Sequence, residues 1–227
     1  MLADLLEREE MTLIVSLPYN SVDLAKAALA GGAESLKVHI HVKDTASRTS
    51  FGSLTEERKN LEGILKASRK TPIGVVAGGE TPVTPDEFNT LVSMGFDYVD
   101  LHAHHIPAWM WLDERISRVV AIDETYISDE VIALNLLSPD AVEAAIIPES
   151  GYGAPLTVRD LSRYQMIYDI VDWPMIVPTQ RNIHADEAVA LQRIGVNAIM
   201  INAVVAGTDT KTIETTTARF RRALRGA

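Results

Sequence analysis

The stretch SLKVHIHVKD, residues 35–44, decides how the rest of the chain is interpreted. Successive side chains of a strand point to opposite faces, so this stretch carries two rows. The apolar row consists of Leu36, Val38, Ile40 and Val42, and the polar row consists of Lys37, His39, His41 and Lys43. In a closed parallel barrel the apolar row packs against helices and the polar row faces the barrel axis, where charge is costly unless it is paired or used. The stretch therefore predicts one wall of an active site.

The order of elements along the chain predicts an α/β protein, a (β/α)8 TIM barrel with a short extra N-terminal helix over residues 2–10. Eight apolar runs are each followed by helical or loop material. Three segments, LAGGAESLKVHIHV, LVSMGFDYVDLHAH and LQRIGVNAIMINAV, repeat a helix end, a glycine, a short link and a buried strand. The alternative is an open doubly wound sheet, but no G-x-G-x-x-G or Walker sequence supports it. We expect the extra helix to close one end of the barrel.

Composition limits the partners and the setting. The chain has 227 residues, of which 47% are hydrophobic, and this suits a single barrel domain over residues 1–227. A formal net charge of −10 favours neither nucleic acid nor an anionic membrane surface as a partner. The sequence has no cysteine, which fits a reducing cytoplasm, and no apolar run of the roughly 20 residues that span a bilayer. We expect a cytoplasmic protein, and the sequence leaves a homo-oligomer open.

Catalytic candidates lie where barrel enzymes keep them, at the C-terminal ends of the strands. They are Lys37, His39, His41 and Lys43 on the second strand, Asp100 and His102 on the fourth, and Glu149 after a sixth strand predicted at 144–147. One reading is a divalent metal ion on His39, His41 and His102; the other is acid–base chemistry that requires no cofactor. The structural alternatives are histidines that bond one another, a Lys37–Asp100 salt bridge, and a solvated Lys43 at the rim.

A phosphate site is predicted after the last two strands. Its candidates are Gly151 and Gly153 after strand six, Thr179, Gln180, Arg181 and Asn182 after strand seven, and Gly207 and Thr208 after strand eight. Small residues let backbone N–H groups approach an anion, and barrels of this class bind phosphate at this position. Ordinary turn glycines and a surface arginine are the structural alternative.

The last third of the chain carries a resemblance. GYG at 151–153 and PMIVPTQRNIHADEAVALQRIGVNAIMINAVVAG at 174–207 resemble N-acetylmannosamine-6-phosphate 2-epimerases, within the phosphate-binding barrel superfamily of sugar-phosphate enzymes. Pro178-Thr179 more weakly resembles the PTGGI segment of keto-deoxy-phosphogluconate aldolases. The catalytic residues do not carry over. The epimerase lysine and glutamate correspond to Ala77 or Gly78 and to Thr179, and the aldolase lysine falls in AAIIP at 144–148.

The resemblance therefore implies a phosphate-binding site, with catalytic groups supplied by strands two and four. We expect an isomerase or epimerase acting on a small phosphorylated carbohydrate or keto acid. Two alternatives stay open at this point. One is a lyase that uses Lys37 or Lys43 as a Schiff base. The other is a barrel that binds a phosphorylated metabolite without turning it over.

Overall fold

The structure, a computed structural model, describes residues 2–226 and shows a closed barrel of eight parallel strands. Each strand pairs with the next one in the chain, and the last pairs with the first. The strands are β1 (Thr12–Ser16), β2 (Ser35–Ile40), β3 (Ile73–Ala77), β4 (Tyr98–His102), β5 (Ser117–Ile122), β6 (Ala141–Ala144), β7 (Met175–Pro178) and β8 (Ala198–Ile201). The predicted (β/α)8 barrel is confirmed.

The helices lie outside the barrel, apart from a short one before the first strand. They are α1 (Leu2–Leu6), α2 (Val22–Ala30), α3 (Leu54–Ser68), α4 (Pro85–Met94), α5 (Ala108–Trp111), α6 (Ser128–Leu134), α7 (Val158–Tyr168), α8 (Ala188–Ile194), α9 (Ala203–Ala206) and α10 (Thr210–Arg225). Capping boxes, in which a hydroxyl and a downstream carboxylate bond each other's backbone N–H, begin three of them. The boxes are Ser53 with Glu56, Thr84 with Glu87, and Thr157 with Asp160. No helix among the described residues is long and apolar enough to span a membrane.

A repeated clamp joins the strands in pairs. Each clamp joins the residue just before an even-numbered strand to a residue at the start of the preceding strand. The first residue donates its backbone N–H to the carbonyl group of the second, and its side chain accepts the backbone N–H of the second. The clamps are Glu34 on Leu13, Asp97 on Ile73, Asp140 on Arg118, and Asn197 on Met175. The barrel is therefore built from four βαβα units of one design.

A left-handed residue precedes each clamp. In three units it is a glycine, with φ of 97° at Gly32, 92° at Gly95 and 104° at Gly195, as the repeated sequence segments predict. In the third unit Ser138 takes the position with φ of 54°. A serine there is conformationally costly, and it hides the repeat from a reading of the sequence.

We expect Asp97→Ala to lower the free energy of unfolding by about 1–2 kcal/mol, because the Ile73 N–H loses its 2.9 Å acceptor in a half-buried position. Asp97→Asn keeps an acceptor oxygen and copies the clamp that Asn197 already forms. Urea unfolding of the two variants checks the prediction. Equal losses for Ala and Asn would show that the clamp oxygen is not what stabilises the strand pair.

Helix α1 closes the N-terminal end of the barrel, as predicted, although it ends at Leu6 and not at residue 10. Leu2 and Leu6 are fully buried against the lower inward-facing side chains, among them Ile14, Tyr98 and Ile176. The Thr12 hydroxyl group donates to the Leu5 carbonyl group, and the Asn197 amide group donates to that of Leu6. Because the lower end is filled and capped, a ligand can enter the barrel only from the C-terminal ends of the strands.

Two strands differ from their predicted positions. Strand β2 ends at Ile40, since His41 turns to φ of 54° and leaves the extended region. Strand β6 begins three residues earlier than predicted, at Ala141, so that Glu143 lies inside it. Both differences change which side chains meet inside the barrel.

Candidate active site

The floor of the upper barrel is a buried ion-pair network. Lys37 Nζ donates to Asp100 Oδ2 at 3.0 Å and to Glu143 Oε2 at 2.8 Å. The three residues come from β2, β4 and β6, and they are 6%, 2% and 5% exposed. The Lys37–Asp100 salt bridge that the sequence offered as a structural alternative is thus present. Glu143, which sequence reasoning missed, completes it.

Burial and mutual charge set the protonation of this network. Burial would lower the pKa of Lys37, but the charges of Asp100 and Glu143 outweigh it and raise that pKa, so the amine stays an ammonium. Burial and the neighbouring Glu143 charge raise the pKa of Asp100 well above its usual range. Burial opposes ionisation of Glu143 too, yet the Lys37 ammonium lowers the pKa of that carboxyl. Lys37 therefore stays an ammonium, and of the two acids Asp100 is the harder to ionise.

One buried oxygen of Asp100 is left over from the ion pair with Lys37. Asp100 Oδ1 is buried and has no hydrogen-bond partner among residues 2–226. With a proton on one of them, Asp100 and Glu143, which are in side-chain contact, would be able to form a hydrogen bond to each other. Two adjacent carboxyl groups that share one proton form a candidate general acid.

His39 lies one step above Lys37 on the inward face of β2. It is 4% exposed, its Nε2 is 3.5 Å from the Ser16 Oγ, and its ring stacks on Phe51 with centroids 4.6 Å apart. Burial, with a smaller contribution from Lys37, lowers the pKa of His39 to about 4 against the opposing charge of Asp44. The side chain is therefore a neutral imidazole at physiological pH.

His102 ends β4 at the same level and is half buried. Burial lowers its pKa, although the charge of Glu143 acts in the other direction. His104 and His105 follow in a 3-10 turn. The His104 ring stacks on the His102 ring, and the His105 ring meets it edge to face. His105 lines the cavity, whereas the His104 side chain is 58% exposed and lies beside Asp123. The structure thus provides a second neutral imidazole next to the ion-pair network.

A cavity of about 590 Å³ opens above this floor. The loops after β2 and β3 form much of its wall, through Val42, Lys43, Asp44, Thr45, Ala46, Gly78, Gly79, Glu80 and Thr81. The far side contributes Ala145, Tyr152, Pro178, Gln180, Met200 and Asn202. Lys43 is exposed and forms no salt bridge within residues 2–226. His41 also lines the cavity, with its Nε2 2.9 Å from Glu87 Oε1 on α4.

The predicted phosphate residues are placed differently. Of the eight, Gln180 alone lines this cavity in the described part of the chain. Backbone N–H groups of six of them already donate to backbone carbonyl groups: Gly151, Gly153, Thr179, Gln180, Asn182 and Gly207. Thr208 is exposed, and its carbonyl group accepts from the Tyr19 hydroxyl group. A phosphate site formed by these residues stays a prediction.

Arg181 and Glu149 have structural surroundings. The Arg181 guanidinium group forms two 3.0 Å hydrogen bonds to Asp160 and a third to the Gly151 carbonyl group. Glu149 is exposed on a 3-10 turn beyond β6 and does not line the cavity. The acid that β6 contributes is Glu143. A single Glu inside the apolar run AVEAAII was the signal that could have found it.

Candidate metal ligands do not converge in the described residues. His39 stacks on Phe51, His41 bonds Glu87, and His102 contacts the two following histidines. Among residues 2–226, no group of three or more His, Asp or Glu side chains is arranged to hold a metal ion. The predicted metal site on His39, His41 and His102 stays a prediction.

Comparison with known proteins supports the architecture. No protein-family model matches the chain, and no curated protein is significantly similar to it. Among solved structures, it is similar to thiamine phosphate pyrophosphorylase from Pyrococcus furiosus, with 14% identity, 96% of each chain covered and a TM-score of 0.67. It is similar to tryptophan synthase from Mycobacterium tuberculosis, with 16% identity, 96% of this chain and 93% of that chain covered, and a TM-score of 0.73. The likeness is one of fold.

Proposed function

We propose that the protein is an isomerase or epimerase that moves a proton next to a carbonyl group of a small phosphorylated carbohydrate or keto acid. The observation that carries the proposal is the floor of the cavity, where two neutral imidazoles lie above an ammonium held by two acids. Removing a proton beside a carbonyl group requires a base that is unprotonated at neutral pH. It also requires a positive group that stabilises the negative charge of the developing enolate. This floor provides both.

The roles follow from position and charge. His102 accepts the proton from carbon, since its imidazole is neutral and borders the cavity. In an isomerisation it returns the proton to the adjacent carbon, and in an epimerisation the carbon is reprotonated on its opposite face. The Lys37 ammonium stabilises negative charge on the carbonyl oxygen. Asp100 and Glu143 hold that ammonium in place, and the proton they share is available to the same oxygen. His39 completes the floor from the β2 side.

The state of Lys37 bears on the lyase alternative. A Schiff base needs an unprotonated amine, whereas Lys37 is an ammonium with a raised pKa between two acids. Lys43, which is exposed, is the lysine left for that chemistry. Borohydride in the presence of a keto substrate would covalently trap such an imine. We expect no trapping at Lys37.

The substrate phosphate is proposed to lie near Lys43. Lys43 is the unpaired cation of the described cavity wall, whereas the Arg181 guanidinium group lies outside the cavity lining and is paired with Asp160 and the Gly151 carbonyl group. The structural likeness to a protein whose name includes thiamine phosphate is consistent with a phosphorylated substrate. A cytoplasmic location stays a prediction.

A pair of variants tests the position of the phosphate. We expect Lys43→Ala to weaken binding of a phosphorylated ligand about 10-fold, the typical value of one charge-assisted contact of roughly 1.4 kcal/mol. Arg181→Ala should instead lower thermal stability and leave binding unchanged, because it breaks the Asp160 contact. Calorimetric titration with sugar phosphates measures both. The opposite pattern would assign the phosphate to the loops after β7 and β8, as the sequence predicted.

A metal requirement can be tested on the same protein. We expect proton exchange into substrate to survive treatment with a chelator, because His39, His41 and His102 have separate partners. Loss of exchange on chelation, with recovery on adding back one divalent ion, would make these histidines metal ligands.

A further inference from the structure

A buried aromatic contact beside the active site has no role in the chemistry described above. Phe51, at the end of the loop after β2, is 6% exposed and stacks on His39 with the two rings inclined by 25°. The loop folds back as a small hairpin. The Phe51 N–H donates to the Val42 carbonyl group, and Lys43 and Ser50 form an antiparallel bridge. The hairpin thus brings Phe51 onto the imidazole from the side of the cavity wall.

We propose that Phe51 is a positioning residue that holds the His39 imidazole in one orientation and one neutral tautomer, with the proton on Nε2. His39 would then act on the substrate as a hydrogen-bond donor to the carbonyl oxygen, and His102 would be the base. The role of His39 toward the substrate rests on the proposed function. The orientation and tautomer of its ring do not.

The tautomer follows from the surroundings of the two ring nitrogens. His39 Nδ1 is buried and has no hydrogen-bond partner among the described residues. An N–H buried without an acceptor is rarer and costlier than an unused lone pair, so the proton belongs on the other nitrogen. Nε2 lies 3.5 Å from the Ser16 Oγ, which can accept it at the cavity edge. A ring flip about the Cβ–Cγ bond would exchange Nε2 with Cε1 and Nδ1 with Cδ2, and so would change the contact with Ser16.

The backbone around both rings is fixed by one network. The Asn20 side chain donates to the His39 carbonyl group at 2.7 Å and accepts the His39 N–H at 3.3 Å. The same amide group donates to Glu57, and the other oxygen of Glu57 accepts the N–H of Gly52, the residue after Phe51. The two stacked residues are therefore positioned by a shared set of hydrogen bonds.

The charged groups around His39 do not define its orientation alone. Lys37 and Glu143 act on it from the floor, and Asp44 acts on it from the hairpin. Lys37 and Glu143 are engaged with each other, and Asp44 accepts two hydrogen bonds from Ser47. Apart from the 3.5 Å contact between Nε2 and Ser16, the stacked Phe51 ring is the contact that restricts rotation of the imidazole.

Nitrogen-15 NMR of the histidine side chains tests the inference without any substrate. At pH 7 we expect the wild-type His39 ring, assigned with His39→Gln, to show a single neutral tautomer with the proton on Nε2. In Phe51→Leu, which keeps an apolar side chain but removes the ring, the imidazole should show averaged tautomers. Phe51→Ala should show the same averaging, together with at least tenfold faster modification of His39 by diethyl pyrocarbonate.

Two outcomes would overturn the inference. One is a wild-type His39 with its proton on Nδ1 or with both tautomers present. The other is a Phe51→Leu protein that folds, by its amide spectrum, and keeps the wild-type tautomer. Neither outcome depends on turnover, so a failure here is distinct from a failure to find proton exchange into a substrate. Likewise, a positive NMR result would stand even if no substrate were found.

Discussion

Lys37→Met is expected to lower the free energy of unfolding by about 3–5 kcal/mol at pH 7, because it leaves two buried carboxyl groups without their cation. The Lys37, Asp100 and Glu143 side chains are 8%, 1% and 7% exposed, so water at the cavity floor replaces only part of the lost contacts. Urea unfolding at equilibrium measures the change. The same substitution should abolish catalysis, since the enolate loses its positive partner.

The stability lost in Lys37→Met should decrease as the pH falls. In the wild type the pKa of Glu143 is lowered, so this carboxyl stabilises the fold above its unfolded pKa, and the contribution is lost as the pH falls through the folded value. Without Lys37 that pKa rises and Glu143 takes up a proton, which relieves the buried charge. We therefore expect the deficit of Lys37→Met to be smaller at pH 4 than at pH 7.

A triple variant controls for the size of the residue at position 37. Lys37→Met combined with Asp100→Asn and Glu143→Gln removes the charges together, and it should recover much of the lost stability. A Lys37→Met protein as stable as the wild type would contradict the assignment of a buried ion-pair network. So would a deficit that the triple variant deepens.

His102→Gln is expected to slow proton exchange between substrate and solvent by about 10²–10⁴-fold, the usual contribution of a general base. Glutamine keeps polar atoms at the cavity edge but cannot accept a proton at neutral pH. His184→Gln is the matched control, because His184 is exposed on the loop after β7 and lies outside the cavity. Equal rates in the two variants would remove His102 from the chemistry.

Much of the upper barrel could be predicted from one strand. The alternation in residues 35–44 correctly places Lys37 and His39 inside, because side-chain direction in a strand has a strict period of two. The alternation could not show where the strand ends. His41 leaves the row through a left-handed backbone conformation that glycine usually adopts, and no residue type marked that turn.

Glu143 was missed for a related physical reason. The third βαβα unit has Ser138 at the position where the other units have glycine, so the start of β6 did not match the repeat. A carboxylate inside an apolar run also argues against a strand interior unless its partner is known, and the partner lies 106 residues away on β2. Long-range charge pairing of this kind is set by barrel closure, which local sequence does not encode.

The predicted phosphate loops illustrate the limit of motif reasoning. Glycines and small residues after β6, β7 and β8 fit an anion cradle by composition, yet six of the relevant N–H groups are used within the fold. Whether an N–H is available depends on the loop conformation, which a motif does not specify. The free cation and the open wall instead lie after β2 and β3.

The most direct test of the central claim is deuterium incorporation from D₂O into carbon-bound positions of phosphorylated aldoses, ketoses and keto acids, read by NMR. The unphosphorylated parents serve as controls. We predict that wild-type protein exchanges one hydrogen next to the carbonyl group of at least one phosphorylated compound, and that His102→Gln does not. A compound that binds in this cavity with no exchange in the wild-type protein would contradict proton transfer and leave a barrel that binds without turnover.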